Sequence, residues 1–359
     1  MCGTSVDAID AALVDFREDG HFSLLDTRST PISTDLRTQI QSLFEPGENE
    51  IDRLGELDRA LGFIFADAVN DLLKQGEINP QDIQAIGSHG QTIRHRPTGP
   101  NHSFTLQIGD PNTIAEGTGI RTVADFRRRD VAAAGQGAPL APEAHRAFFS
   151  DRDERRIILN IGGIANITDL STQDTTGFDT GPGNGLMDTW CQHHGVGEYD
   201  EDGRWANSGE VDDECLARWL NHPFFDRIPP KSTGKEEFSK TWLLDQKEIQ
   251  KIAPENVQAT LLSLTSESIA RAIDTYCQNA EALYVCGGGA HNHALMTALR
   301  TRMPQLSVQT TESLGIGPDW VEAAAFAWPA RNRIECSSGN IPKVTGAKGP
   351  RILGGVYSP

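Results

Sequence analysis

Long apolar runs are absent from this sequence of 359 residues. Apolar residues make up 38% of the chain and the mean hydropathy is −0.40, values typical of a water-soluble globular protein. No run is long enough to cross a bilayer, and residues 3–10 are already polar and acidic, unlike the start of a secretory signal peptide. We therefore expect a cytoplasmic protein that has no membrane partner.

Basic residues are scarce as well. The chain has 32 Lys and Arg against 50 Asp and Glu, which gives a formal net charge of −18. This charge repels the phosphate backbone of nucleic acids, and the one concentrated basic stretch is Arg127-Arg128-Arg129. No nucleic-acid partner is expected. The triplet is either a local counter-charge for a small anion or a solvated loop, and the sequence does not separate the two.

Paired cysteine motifs are also missing. The six cysteines form neither CxxC pairs nor the dense pattern of a small disulfide-linked domain, so we expect reduced thiols. Cys191, His193 and His194 do not indicate a metal site, because adjacent histidines point to different sides of a helix and no second cluster supplies further ligands.

Two common nucleotide-binding fingerprints are lacking too. The sequence has no G-x-G-x-x-G turn followed by an acidic residue at dinucleotide spacing. Ser232-Thr233-Gly234-Lys235 lacks the preceding glycine loop of a Walker A motif. Any nucleotide site is therefore built from other elements.

Apolar periodicity predicts alternating helices and strands. Residues 51–75 carry an apolar stripe at helical spacing. Strand-like runs lie at 8–16, 83–88, 104–108, 122–126, 157–161, 164–170 and 282–286. Further helices are predicted at 257–277, from 291 onwards and at 319–330. Strands that alternate with helices indicate an α/β fold.

The chain is long enough for two lobes, and its two halves begin alike. Gly3-Thr4-Ser5 leads into the strand-like run at 8–16, and the run at 157–161 turns at Gly162-Gly163 into the next strand. We assign residues 1–130 to an N-terminal lobe, with the segment 331–359 packing back on it. Residues 131–330 form the C-terminal lobe.

Three glycine-bearing turns are candidates for binding phosphate. They are Gly3-Thr4-Ser5, Gly162-Gly163 and Gly287-Gly288-Gly289, of which the last lies between a strand and a helix. Because glycine has no Cβ, backbone N–H groups at such turns can approach an anion closely. One such turn is usually structural, but the three together favour a phosphate clamp with an adenine pocket.

Three polar residues are candidates for catalysis or for sugar binding. Asp179 precedes a helix that starts near Gly185. It is either a general base toward water or a sugar hydroxyl, or a turn-capping or helix-capping acid, which is the commoner role in such a segment. His89 is either catalytic or structural, and Glu322 either faces the ligand site or is solvated.

Seven blocks of sequence stand out together. They are Gly3-Thr4-Ser5-Val6-Asp7, Gly87-Ser88-His89-Gly90-Gln91-Thr92, Val123-Ala124-Asp125-Phe126-Arg127, Asn160-Ile161-Gly162-Gly163-Ile164-Ala165-Asn166, Gly177-Phe178-Asp179-Thr180-Gly181-Pro182-Gly183-Asn184, Cys286-Gly287-Gly288-Gly289 and the helical segment 322–328. In order, spacing and identity they resemble the anhydro-N-acetylmuramic acid kinase family. The resemblance runs from residue 1 to the C-terminus, and agreement across separate blocks makes coincidence implausible.

The resemblance implies an actin-like fold of two ribonuclease-H-like lobes, with ATP and Mg²⁺ in the cleft between them, and it implies a homodimer. It also implies roles for individual residues. Asp179 matches the catalytic base, and Asp7 would additionally hold Mg²⁺ through water. The residues for ATP and its phosphates are Gly3, Thr4, Ser5, Val6, Asp7, Ala8, Ile9, Asp10, Asn160, Gly162, Gly163, Gly287, Gly288 and Gly289, and those for the sugar are His89, Gln91, Arg127, Gly181, Pro182 and Glu322.

The reaction implied by the resemblance opens the 1,6-anhydro ring of anhydro-N-acetylmuramic acid and phosphorylates O6. It gives N-acetylmuramic acid 6-phosphate in peptidoglycan recycling, with Asp179 deprotonating the water that attacks C1. Two alternatives stay open. One is an ordinary hexose kinase, in which Asp179 deprotonates a sugar hydroxyl, and the other is a non-catalytic sugar or nucleotide sensor.

The sequence departs from the family pattern at its start. The family has a complete strand before the first phosphate turn, whereas Met1 directly precedes Cys2-Gly3-Thr4, so we expect either an upstream start or an incomplete N-terminal lobe. Cys2 and Ala8 stand where the family has Ser and Gly, and Ala8 argues against a positive φ at that position.

Overall fold

The computed structural model describes residues 1–3, 6–17, 22–97, 103–234 and 237–359. Thr4 and Ser5, two of the expected phosphate-binding residues, lie outside these ranges. The chain divides into two compact units, of which the first is Met1–Phe148 with Glu322–Pro359 and the second is Phe149–Val321. No helix within the described ranges is both long and apolar enough to cross a bilayer.

Strands and helices alternate along the chain, as the apolar periodicity predicts. Up to residue 149 they are β1 (Ala8–Phe16), β2 (Phe22–Pro31), α1 (Thr34–Gln41), α2 (Glu50–Gln75), β3 (Ile86–Ser88), β4 (Gln91–Arg96), β5 (Phe104–Ile108), α3 (Pro111–Thr118), β6 (Thr122–Ala124), α4 (Phe126–Ala132) and α5 (Ala141–Phe149). Beyond it they are β7 (Arg156–Ile161), β8 (Ile164–Asp169), β9 (Thr176–Pro182), α6 (Gly185–His194), α7 (Asp213–Leu220), α8 (Lys240–Leu244), α9 (Pro254–Tyr276), β10 (Ala282–Cys286), α10 (His293–Arg302), β11 (Ser307–Thr310), α11 (Val321–Ala325), α12 (Ala327–Ile334), α13 (Pro342–Thr345) and β12 (Gly355–Tyr357).

The long helix α2 is amphipathic, as its sequence predicts. Its buried face includes Leu57, Leu61 and Phe65, which recur at the spacing that places side chains on one side of a helix. The face packs in one apolar cluster with residues of β1, β4, β5 and α3. A Cβ on Gly62 would lie 2.9 Å from Asp110 O, so glycine allows the chain leading into α3 to approach α2 closely.

The described strands of the first unit form three small sheets. β1 pairs antiparallel with β2, β4 pairs antiparallel with β5, and β6 lies between parallel β3 and antiparallel β12. Cys2 makes an isolated antiparallel bridge with Ile9. Ala8 is the first residue of β1 and pairs with Pro31, so it is extended, as expected for alanine at this position. β12 attaches the C-terminal segment to the N-terminal part of the chain.

The second unit is built on one five-stranded sheet of order β11-β10-β7-β8-β9. β7, β8 and β9 form an antiparallel meander, β10 runs parallel to β7, and β11 runs parallel to β10. The alternating apolar residues Ile157, Leu159 and Ile161 of β7 lie in the core of this unit. The strand order is that of ribonuclease-H-like domains, so the predicted α/β fold is confirmed, with this topology complete in the second unit.

The boundaries of the two units differ from those predicted. They lie at 148/149 and 321/322, whereas the sequence-based division is at 130/131 and 330/331. The cause is one apolar cluster of the first unit, in which Leu140 packs with Val123 and Phe126, and to which Phe326 and Ala330 also belong. Residues beyond the predicted boundaries therefore pack as part of the first unit.

Several predicted elements are shorter than expected or interrupted. The strand predicted at 83–88 forms only over Ile86–Ser88. The strand predicted at 122–126 ends at Ala124, because Asp125 has a φ of 60° and Phe126 begins α4. The helix predicted at 319–330 is divided into a 3-10 turn, α11 and α12. Pro329 has no N–H to donate to the carbonyl of Ala325, which explains the interruption between α11 and α12.

Candidate active site

In the second unit, the turn between β7 and β8 is held by the start of α6. Gly183 N and Gly185 N donate hydrogen bonds to Gly163 O at 3.0 and 3.1 Å, and Asn184 N donates to Gly162 O at 2.8 Å. A Cβ on Gly183 would lie 2.3 Å from Gly162 O. Glycine at position 183 is therefore required for the close approach of these two segments.

The glycine run at the end of β10 approaches the same turn. A Cβ on Gly287 would lie 2.3 Å from Asn160 Oδ1, and one on Gly289 would lie 2.4 Å from Ile161 Cγ2. Gly287 also has a φ of 77°, in a region that residues with a Cβ rarely adopt. The structure thus brings Asn160 and two of the three predicted glycine runs together.

Some glycines of this group have no packing reason to be glycine. A Cβ on Gly162 would come no closer than 3.8 Å to Ile164 O, and one on Gly288 no closer than 3.7 Å to Asn184 Nδ2. Neither glycine has a positive φ. Asn160 Oδ1 is buried and accepts no hydrogen bond from any residue that the structure describes. Backbone that an anion can approach fits the phosphates of a nucleotide, whereas the unsatisfied Asn160 Oδ1 is an acceptor and requires a donor.

Asp179 lies within β9, opposite Asn166 of β8. Its backbone N donates to Lys231 O at 3.1 Å, and its Oδ2 accepts from Thr233 N at 2.8 Å. The N-cap of α6 is Asn184, so Asp179 does not cap that helix, and its carboxylate instead accepts a backbone hydrogen bond from the loop at Thr233. A partly exposed carboxylate in the middle of a strand, held by a backbone donor, is a geometry suited to a general base.

Gly181 and Pro182 follow Asp179 on the same strand, and both are buried. Gly181 has a φ of 145°, and a Cβ there would lie 2.8 Å from Phe225 Cε1. Pro182 pairs with Ile164 of β8. The packing of the second unit thus explains the glycine at position 181. The predicted sugar-binding role of Gly181 and Pro182 stays a prediction.

In the first unit, the described part of the first phosphate turn shows backbone strain. Val6 has a φ of 56°, an outlier for a β-branched residue, and Arg37 Nε donates to its carbonyl at 2.9 Å. A Cβ on Gly3 would meet no described atom within 4 Å. Strained backbone of this kind clusters at ligand sites, so we retain the binding of phosphate by this turn as a proposal.

Asp7 is the exposed residue among positions 6–10. Asp10 Oδ1 accepts from Ser29 Oγ at 2.7 Å, and the side chain of Ile9 is 2% exposed in the core, so Ile9 can reach a ligand only through its backbone. Within the described ranges, no three His, Cys, Asp or Glu side chains are grouped closely enough to hold a metal. Mg²⁺ that arrives with nucleotide phosphates needs only one or two protein carboxylates, and Asp7 fits that requirement.

Half-buried Arg127 and buried His89 form a polar pair in the first unit. Arg127 Nε donates to His89 Nε2 at 3.0 Å, and Arg127 Nη1 donates to Gly137 O at 2.8 Å. His89 Nδ1 lies 2.9 Å from Gly90 O and must carry the proton there, because a carbonyl oxygen only accepts. Burial and then the charge of Arg127 hold the pKa of His89 well below its usual value. The ring is therefore neutral and orients Arg127.

Burial lowers the pKa of Arg127 to about 10, while the carboxylates of Glu322 and Asp130 raise it. Arg127 is therefore a cation at neutral pH that contacts His89 and interacts electrostatically with Glu322. Arg128 and Arg129 are exposed on α4, and Arg128 Nε donates to Asp125 Oδ1 at 2.8 Å. Arg128 and Arg129 are therefore solvated, whereas a role of Arg127 as counter-charge for a small anion stays a prediction.

Gln91 offers a second polar group in the first unit. It is 1% exposed, and its Nε2 donates to Thr92 O at 3.0 Å. Its Oε1 has no hydrogen-bond partner among the described residues. An unsatisfied buried oxygen is costly, and a ligand hydroxyl would satisfy it.

Asp130 is a buried residue that the sequence analysis missed. Its Oδ2 accepts from Gly137 N at 2.8 Å, and its Oδ1 accepts from Asn340 Nδ2 at 2.6 Å and from Thr345 Oγ1 at 2.8 Å. Gly137 O in turn accepts from Arg127. Asp130 thus fixes the loop that holds Arg127, and no local sequence signal marks it, because it resembles any polar residue late in a helix.

The comparisons with known proteins agree with the sequence blocks. A family model described as anhydro-N-acetylmuramic acid kinase matches residues 1–359. The chain belongs to the anhydro-N-acetylmuramic acid kinase family. A protein of that name from Coxiella burnetii is 49% identical over 360 residues, covering 99% of this chain and 96% of that protein. Another from Shewanella pealeana is 50% identical over 360 residues, covering 99% and 97%.

Solved structures give weaker similarities. The activator of 2-hydroxyisocaproyl-CoA dehydratase from Clostridium difficile, with bound ADPNP, aligns over 91% of this chain and 98% of its own. The sequence identity is 11% and the TM-score is 0.42. This similarity is too low to support a conclusion about fold or ligand.

Proposed function

We propose that this chain is an ATP-dependent kinase that converts 1,6-anhydro-N-acetylmuramic acid into N-acetylmuramic acid 6-phosphate in peptidoglycan recycling. The observation that carries the proposal is the match of residues 1–359 to the family of that name. The grouping of Asn160 with two glycine runs, and the carboxylate of Asp179 held by Thr233 N, support it.

The chemistry assigns a specific task to Asp179. A water molecule attacks C1 of the sugar, and the Asp179 carboxylate accepts its proton. The C1–O6 bond breaks while O6 attacks the γ-phosphorus of ATP, and ADP leaves with the electrons of the broken P–O bond. The water oxygen becomes the anomeric hydroxyl, and neither half-reaction passes through a free alkoxide.

The remaining site residues bind and orient the substrates in this proposal. The turns at Gly3, at Gly162-Gly163 and at Gly287-Gly288-Gly289 bind ATP through backbone groups. Arg127, held by neutral His89, suits the lactyl carboxylate of the sugar, because a guanidinium binds a carboxylate through paired hydrogen bonds. Mg²⁺, when held by Asp7 and the nucleotide, would neutralise charge on the transferred phosphoryl group.

Oxygen-18 water tests the proposal directly. If water attacks C1, the label enters the anomeric hydroxyl of the product, and the phosphoryl group on O6 carries none. Product must be analysed early by mass spectrometry, because a reducing sugar slowly exchanges its anomeric oxygen with water. The matched control is unlabelled product incubated in labelled water for the same time, which measures that exchange.

Two results would contradict the proposal. An intact anhydro ring in the phosphorylated product indicates phosphorylation of a sugar hydroxyl by an ordinary kinase. Label in free phosphate without any phosphorylated sugar indicates ATP hydrolysis alone.

Three narrower statements also belong to the proposal. Mg²⁺ dependence is tested by removing divalent cations with EDTA and restoring them one at a time. A homodimer is tested by sedimentation, and a cytoplasmic location by fractionation of the native cells.

A further inference from the structure

Three polar residues form one row across the sheet of the second unit. Asn160 of β7 pairs with Asn166 of β8, and Asn166 pairs with Asp179 of β9. Residues directly opposite each other in antiparallel strands place their side chains on the same face, with Cβ atoms about 4.5–5.5 Å apart. One neighbour of each residue faces the other way, into the apolar core, and these neighbours are Leu159, Ile167 and Phe178. The polar row therefore lies on the face opposite that core.

The polar row marks where this face of the sheet becomes accessible. In the adjacent cross-strand pair on the same face, Ile158 and Thr168 are 0% and 1% exposed. Asn166 and Asp179, in contrast, are half-buried. A ligand can therefore reach the middle of the row and the end that carries the proposed general base.

The side-chain amide of Asn166 forms no hydrogen bond with any residue that the structure describes. On one side of it, Asn160 Oδ1 is buried and also lacks a described partner. On the other side, Asp179 Oδ2 accepts from Thr233 N at 2.8 Å. An asparagine amide has two N–H donors and one acceptor oxygen. Between two residues of the candidate site, this amide is available to a ligand.

The length of the polar row fits the proposed reaction. Two cross-strand steps separate Asp179 from Asn160 by about 10 Å, and Asn160 lies against Gly287 of the glycine run proposed to bind ATP. The reacting atoms form a chain from the base through water, C1 and O6 to the γ-phosphorus. One hydrogen bond, one covalent bond and two contacts between reacting atoms make this chain roughly 10 Å long. With water at Asp179 and the γ-phosphorus near the glycine run, C1 and O6 would lie beside Asn166.

We infer that Asn166 is a catalytic residue whose side-chain N–H donates a hydrogen bond to O6 as the C1–O6 bond breaks. The electron pair of that bond moves onto O6 while the bond to phosphorus forms, so negative charge develops on O6 in the transition state. A donor placed at developing charge stabilises the transition state more than the bound substrate. Asn166 transfers no proton, because the proton of the water goes to Asp179. The inference rests on the proposed function, since it assumes this path for O6.

The test compares kcat and KM for the unmodified protein, Asn166→Ala and Asn166→Asp. Alanine removes the donor, so kcat should fall by about a hundredfold, as for the loss of one oxyanion donor, while KM for both substrates stays unchanged. Aspartate keeps the size of the side chain but replaces the N–H donors with a negative charge, so its kcat should be no higher than that of the alanine variant. Asn207→Ala, at an exposed asparagine of the same unit, is the matched control and should keep full kcat.

A pH profile separates this role from an action through the base. A neutral amide does not titrate, so Asn166→Ala should lower kcat by the same factor at every pH and leave the fall of kcat at low pH in its original position. If that fall moves to a different pH, Asn166 acts through Asp179, and the inference is overturned. Full kcat in either variant of Asn166 overturns it as well and leaves the proposed function standing.

ADP binding separates the role from a structural one. The thermal midpoint and the fraction of protein that binds ADP should match those of the unmodified protein in both variants. If kcat falls only in proportion to the fraction that binds ADP, the loss is structural and the inference is overturned. If the unmodified protein phosphorylates no anhydro sugar, the proposed function itself fails.

Discussion

The buried carboxylate of Asp130 allows a stability change to be worked out bond by bond. Asp130 is 0% exposed and accepts hydrogen bonds from Gly137 N, Asn340 Nδ2 and Thr345 Oγ1. Asp130→Ala leaves these donors without their acceptor. Each unsatisfied buried donor costs about 1–3 kcal/mol, and the threonine hydroxyl can rotate toward another acceptor. We therefore expect a loss of about 3–4 kcal/mol, mostly from the Gly137 and Asn340 groups.

Calorimetry converts this loss into a temperature. For a unit of this size, 1 kcal/mol shifts the midpoint by about 2–4 °C, so the transition of the first unit should fall by about 10 °C. Asp67→Asn, at an exposed position of α2 in the same unit, is the control and should shift it by no more than about 1 °C. A shift for Asp130→Ala that equals the control would refute the reasoning.

The same variant should also weaken sugar binding. Gly137 connects the two residues. Its N–H donates to the Asp130 carboxylate, and its carbonyl accepts a hydrogen bond from Arg127 Nη1 at 2.8 Å. Losing that support should raise KM for the sugar more than it lowers kcat, because Arg127 is proposed to bind substrate and not to react. An unchanged KM in the folded variant would show that the loop holds Arg127 without Asp130.

Three further predictions follow from the described contacts. Asp179→Asn should keep ATP binding and reduce turnover by on the order of a hundredfold or more, since it removes the proposed general base. Gly288→Ala should keep the thermal midpoint but weaken ATP binding by about tenfold, whereas Gly287→Ala should lower the midpoint, because a Cβ there would lie 2.3 Å from Asn160 Oδ1. Burial lowers the pKa of His145 from 6.5 to about 4, so the unfolded chain binds the extra proton between these values. The contribution of His145 to the free energy of unfolding is therefore fully present above pH 6.5 and is lost as pH falls toward 4. His145→Gln should reduce the dependence of that free energy on pH by up to about 1.4 kcal/mol per pH unit.

Each of these three predictions has a contradicting result. A fully active Asp179→Asn would end its assignment as the base. Equal loss of the midpoint in Gly288→Ala and Gly287→Ala would show that packing, and not a ligand, requires glycine at 288. If the free energy of unfolding of His145→Gln, measured by denaturation, keeps the original dependence on pH between pH 6.5 and pH 4, this histidine does not change its protonation on unfolding.

Much of the fold follows from local pattern. The run at 157–161 is apolar at every position except Asn160, and it becomes the central strand β7 with every residue but Arg156 buried. The predicted strands at 8–16, 104–108 and 282–286 coincide with β1, β5 and β10, because turn residues mark both of their ends. The helix predicted at 319–330 is helical but not continuous, because Pro329 interrupts the hydrogen bonds of the helix although the apolar periodicity continues through it.

The candidate site was predictable only where its residues are close in sequence. Glycine runs and Asp179 stand in recognisable blocks, but Thr233, which holds the Asp179 carboxylate, is 54 positions away. Asn340 and Thr345 are 210 and 215 positions from Asp130. Short polar residues such as these are common in every loop, so nothing in a single sequence indicates which of them meet.

The C-terminal segment belongs to the first unit because it supplies three different kinds of contact. β12 pairs with β6, Leu353 is buried in the cluster of Val123 and Phe126, and Asn340 completes the hydrogen bonds of Asp130. Removal of the segment would leave the sheet edge and the buried carboxylate without hydrogen-bond partners, and it would expose the apolar cluster to water. Through Gly137 the last of these contacts reaches Arg127, so residues far from the site in sequence help to hold the cation that is proposed to bind the sugar.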